Sequence, residues 1–173
     1  MKNQPAYLVF GPESSGTRLA TSILINAGCY GSAEHVQPLD TMSPESIQSI
    51  PSPIVWRRSF PHGGHVPIIS DLINRVHPRP IKVIVTVRDL HCIRQSQTRD
   101  NQHATSIEQA SDNIRLAYKT IFNGILTHSL DFHLFVYESI IASPAAQFKF
   151  IEDLGLPGSV KPLITYNGNS RYY

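Results

Sequence analysis

The chain carries only two cysteines in 173 residues, Cys29 and Cys92. Two thiols make no disulfide framework, so the small stapled folds of secreted proteins are excluded, and two reduced thiols suit a cytoplasmic protein. Long hydrophobic runs are missing too. No stretch nears the ~20 apolar residues that span a bilayer, and the first residues hold no signal-peptide core. A strong charge of one sign is absent: 15 Lys and Arg stand against 13 Asp and Glu. That balance is too small for bulk nucleic-acid binding. There is no internal repeat and no low-complexity tract. The remaining composition, 41% apolar and 16% charged, is that of an ordinary globular chain,. One domain over residues 1–173 is the simplest reading, long enough to bury a core.

A further absence is more telling. In Tyr7-Leu-Val-Phe-Gly-Pro-Glu-Ser-Ser-Gly-Thr-Arg18 a short apolar run stops at Gly11, and an apolar-periodic segment opens at Leu19. The pattern is strand, phosphate-sized loop and helix start, which offers backbone N–H groups and a positive helix end to an anion. Gly11 and Gly16 have the spacing of a P-loop, but Thr17 stands where that motif has lysine,.

Hydrophobic periodicity places the other elements. Strand one covers Ala6 to Phe10, and helix one runs from Gly16 to Ala27, ended by Gly28. A short helix at Pro44 to Ile50 is capped by Ser43. A strand follows at Pro53 to Ser59, with Trp56 in the core. Pro61-His-Gly-Gly-His65 is a loop, and Val66 to Val76 a helix. Ile81 to Val87 has the β-branched run of a strand buried on both faces. Helices follow at Leu90 to Arg99 and Ser106 to Leu126. Asp131 to Tyr137 is a strand, and Ser143-Pro144 opens a last helix that ends near Gly155. Residues 157–173 form an irregular carboxyl-terminal tail. Alternating strands and helices predict a three-layer α/β domain with a mainly parallel central sheet, whose ligands sit at the carboxyl ends of strands.

Arginines gather between Arg57 and Arg99, where a solvated surface explains most of them taken singly. Arg88 differs, because it ends the buried Ile81 strand and Ser96 lies two helical turns on. A guanidinium and a hydroxyl so placed can grip one phosphate.

Together these segments resemble the sulfotransferases that use 3′-phosphoadenosine 5′-phosphosulfate (PAPS). Ser15-Gly16-Thr17 is similar to the family's Ser-Gly-Thr loop around the 5′-phosphosulfate. Val87-Arg88-Asp89 with Ser96 resembles its strand-end arginine and the serine that hold the 3′-phosphate. Tyr137-Glu138-Ser139-Ile140, then Ser143-Pro144 and Phe150-Ile-Glu-Asp-Leu-Gly155, resembles its downstream stretch. The likeness spans Tyr7 to Gly155.

The resemblance implies a P-loop, nucleoside-triphosphate-hydrolase-like fold. It implies sulfuryl transfer from PAPS to a hydroxyl or amine of a small molecule or glycan, without metal and with adenosine 3′,5′-bisphosphate as product. Ser14, Ser15, Gly16, Thr17 and Arg18 would hold the 5′ end, and Arg88 and Ser96 the 3′-phosphate. Arg171 in the tail would close over the latter. The family has Lys or Arg at the position of Ser14, so the cation must come from Arg18, Arg57 or Arg58. The general base falls on His62, with Glu34 or His35 as a second choice; His62-x-x-His65 is a weak metal pair without a third ligand. Two alternatives stay open: a P-loop small-molecule kinase, which calls for Mg²⁺ and a loop lysine, and a nucleotide-binding protein without activity on the same scaffold.

Overall fold

The computed structural model describes residues 4–61, 65–100, 103–157 and 166–173. Four strands form one all-parallel sheet: β1 (Ala6–Pro12), β2 (Ile54–Phe60), β3 (Ile81–Val87) and β4 (Asp131–Val136), in the order β2-β1-β3-β4. Val9 of β1 lies between Arg57 of β2 and Ile84 of β3. The chain therefore passes from β2 across β1 to β3, and the connections on either side of β1 diverge. That reversal opens a crevice at the carboxyl ends of the strands.

Among the described residues seven helices cover the sheet: α1 (Thr17–Asn26), α2 (Pro44–Ser49), α3 (Ile69–Val76), α4 (Leu90–Gln95), α5 (Ile107–Thr127), α6 (Tyr137–Ala142) and α7 (Pro144–Asp153). Side-chain alternation along each strand divides the core in two. Leu8, Phe10, Trp56, Val83 and Val85 pack with Leu72 of α3 and Ile121 of α5. Tyr7, Val9, Val55, Ile84 and Phe135 pack on the other face with Ile23 of α1 and Ile151 of α7. The result is three layers, and no helix among the described residues is long and apolar enough to cross a membrane.

Most predicted elements are present, with instructive shifts. β3 has the expected bounds. Ser43 caps α2, accepting from the N–H of Ser46. The helix expected from Val66 begins only at Ile69, because Pro67 biases the residue before it toward extended backbone. The helix expected over Leu90 to Arg99 stops at Gln95 and continues as a π-helical turn, Ser96–Asp100. Tyr137, expected at a strand end, opens α6 instead. Residues 166–173 of the tail are irregular as expected, yet docked: Tyr172 is buried and donates to Asp100 Oδ2 at 2.5 Å.

The arginines are less solvated than expected. Arg79 is 5% exposed. Its guanidinium donates to the carbonyls of Gln4, Ser52, Ile47 and Ile50, tying three segments together. Arg75 donates to the carbonyls of Leu39 and Met42 and lies over the Trp56 ring.

Candidate functional site

The loop between β1 and α1 is held open from beneath. The Ser15 hydroxyl donates to the carbonyl of Pro12 at 2.7 Å and meets Thr86 Oγ1 at 2.5 Å. Gly11 must be glycine, because a Cβ there would collide with both hydroxyls. Ser14 (φ 69°) and Gly16 (φ 100°) are left-handed. A Cβ at Gly16 would also stand 2.9 Å from the Tyr137 ring. No side chain caps α1 at Gly16, so its first-turn N–H groups keep their positive end toward whatever lies beyond.

What lies beyond is a cavity of about 550 Å³, lined on the loop side by Glu13, Ser14, Gly16, Thr17 and Arg18. Arg57 enters from β2, Arg88 and Ser96 from beyond β3, and Arg171 from the tail. Four arginines against one acid make the lining strongly positive.

Arg57 is 5% exposed. Its Nη2 donates to the carbonyl of Glu34 at 2.9 Å, and its buried Nε has no partner among the described residues. Burial first, then the charge of Arg18, presses the guanidinium below its ordinary pKa. A desolvated cation beside a second cation is stabilised by any anion that enters. Arg88 has Tyr137 stacked beneath it, its Cζ 4.5 Å from the ring centroid. It donates Nη1 to the carbonyl of Ser14 at 2.9 Å and Nε to Asn169 Oδ1 at 2.6 Å, while its Nη2 is buried with no partner among the described residues. Both arginines thus hold orphaned nitrogens whose natural complement is a phosphate or sulfate oxygen.

The predicted residues divide as follows. Ser14, Gly16, Thr17, Arg18, Arg88, Ser96 and Arg171 converge on the cavity. Ser15 does not line it; its hydroxyl is spent supporting the loop. Arg58 is a correction. Strand alternation turns it to the opposite face, where it lies over the Trp56 ring and pairs with Asp40. Arg57, the other β2 arginine named as a source of the cation, lines the cavity. His62 lies outside the described residues. His65 is exposed and not part of the lining, whereas His35 lines the cavity with its Nε2 at 3.1 Å from Arg18 Nη2. Glu34 contributes its carbonyl to Arg57 rather than its carboxylate to the cavity.

Gln97, His103 and Asn169 were not foreseen as site residues. Gln97, in the π turn, donates from Nε2 to the carbonyl of Glu13 at 2.8 Å and so braces the loop. His103 lines the cavity with its Nε2 3.8 Å from Glu13 Oε2. The π turn, a feature frequent near functional sites, carries Gln97 and is not readable from the local sequence; His103 lies beyond it. Comparison of the sequence with protein-family models and with curated proteins finds no match.

Proposed function

We propose that this protein is a PAPS-dependent sulfotransferase acting on a hydroxyl or amine of a small molecule or glycan. One observation carries the reading. Arg57 and Arg88, from the strands on either side of β1, flank a glycine loop in a single positive cavity. A donor with a 5′-phosphosulfate and a separate 3′-phosphate requires two anion grips, and this cavity offers two. The loop, Arg18 and Arg57 serve the phosphosulfate; Arg88 and Ser96 serve the 3′-phosphate.

In the reaction the acceptor oxygen or nitrogen forms a bond to sulfur as the bond between sulfur and the bridging phosphate oxygen breaks. The acceptor's proton passes to a base, and adenosine 3′,5′-bisphosphate leaves. Arg57 and Arg18 offset the charge that develops on the leaving oxygen, the work the family assigns to a cation at the position of Ser14. His35 lines the cavity with its Nε2 at 3.1 Å from Arg18 Nη2 and is one candidate base; His62 is the other.

The test is turnover. The protein is incubated with sulfur-labelled PAPS, a chelator and a panel of sugar, phenol and amine acceptors. Label appearing in an acceptor, and lost in Arg57→Met, supports the reading. Label confined to PAPS and sulfate across the panel, with ATP–Mg²⁺ serving as donor instead, favours a phosphotransferase.

A further inference from the structure

We infer that Asn169, in the carboxyl-terminal turn, is a positioning residue for the 3′-phosphate grip and that Glu138 sets its orientation. The inference rests on the reading of Arg88 as that grip. Asn169 is 7% exposed. Its Oδ1 accepts from Arg88 Nε at 2.6 Å, and its Nδ2 donates to Glu138 Oε1 at 2.7 Å. The amide cannot be reversed. A guanidinium only donates and a carboxylate only accepts, so the oxygen must face Arg88 and the nitrogen Glu138. Glu138 is itself held, since Oε1 also accepts from the Asp89 N–H at 2.9 Å.

The relay fixes the plane of the guanidinium. Nε is tied to Asn169, Nη1 to the Ser14 carbonyl, and the Tyr137 ring lies beneath. Among the described residues Nη2 has no partner, so the relay determines where that nitrogen points. The turn that delivers Asn169 is built for this approach. The Gly168 N–H donates to Tyr137 Oη at 3.1 Å, and a Cβ on Gly168 would stand 3.4 Å from Arg88 Nη2. A residue 81 positions away in sequence thereby sets the geometry of Arg88. A guanidinium with one nitrogen left for a ligand is sensitive to such aim, because that hydrogen bond weakens steeply as the donor turns away.

The experiment compares two ligands by calorimetry: adenosine 3′,5′-bisphosphate and AMP, which lacks the 3′-phosphate. The wild-type protein is expected to prefer the bisphosphate. Asn169→Ala is expected to weaken the bisphosphate about tenfold and to leave AMP within about twofold, so that the ratio collapses. Glu138→Ala should reproduce that loss, and Glu138→Gln, which keeps an acceptor oxygen for Asn169, should restore it. A merely structural role would lower both ligands together. A preference that survives both Asn169→Ala and Glu138→Ala, or a parallel loss for both ligands, overturns the inference while leaving the Arg88 reading intact. No preference in the wild-type protein overturns both.

Discussion

Arg88 Nη1 donates to the main-chain carbonyl of Ser14 at 2.9 Å, joining the end of β3 to the loop that follows β1. The bond means that the two proposed anion grips are not independent. Losing the guanidinium should impair the second grip and slacken the first. Arg88→Ala is expected to weaken adenosine 3′,5′-bisphosphate at least about thirtyfold. Arg88→Lys should recover little, because a point charge cannot meet Ser14, Asn169 and a phosphate at once. Full binding by Arg88→Lys in a calorimetric titration would show that charge alone suffices.

Arg57 and Arg58 are neighbours in sequence and opposites in role. Arg57→Met should cut turnover on the order of 10²–10³-fold, as expected for removal of a preorganised charge at the leaving oxygen, with the melting temperature nearly kept. Arg58→Met should do the reverse: it removes the pairing with Asp40 and the contact with Trp56, lowering stability with turnover retained. Equal losses of turnover in the two variants would contradict the division.

Arg79 is a structural staple. Arg79→Ala strands several buried carbonyls and should cost about 3 kcal/mol or more. Urea midpoints measure it; a change below about 0.5 kcal/mol would mean that water replaces the guanidinium at those carbonyls.

Burial holds three protons on the folded chain. The thiol of Cys29 is pushed from 9.0 to about 12, and the hydroxyls of Tyr7 and Tyr118 from 10.0 to about 12. Between about pH 9 and 12 the unfolded chain sheds these protons and the native one keeps them. Stability is therefore complete below that window and falls as pH rises through it, by on the order of 1 kcal/mol per group by about pH 11. Cys29 should accordingly resist alkylation in the native state near neutral pH and react after unfolding. Urea midpoints that hold steady or rise across the window would be the contrary result.

The sequence made the fold legible where periodicity is local and strong. The β-branched run of β3 admits one reading, and its bounds came out residue for residue. It failed at α6, whose six residues are too short for a helical period and include two isoleucines that suit a strand equally well,. The candidate site divides the same way. The glycine loop and Arg88 follow from spacing along the chain. Arg57 over Arg58 was readable in principle, since a strand with Trp56 in one core layer must send Arg58 to that same side,. Gln97, His103 and Asn169 were not readable, because each reaches the site through a π turn or a contact far along the chain.

The central claim is that this cavity accepts an adenosine nucleotide through two metal-independent anion grips. Calorimetric titration with adenosine 3′,5′-bisphosphate in chelator, set beside ATP–Mg²⁺, tests it most directly. Saturable 1:1 binding of the bisphosphate is expected, tighter than ATP–Mg²⁺ and lost in Arg88→Ala. Tighter binding of ATP–Mg²⁺, or bisphosphate binding indifferent to Arg88, would contradict it.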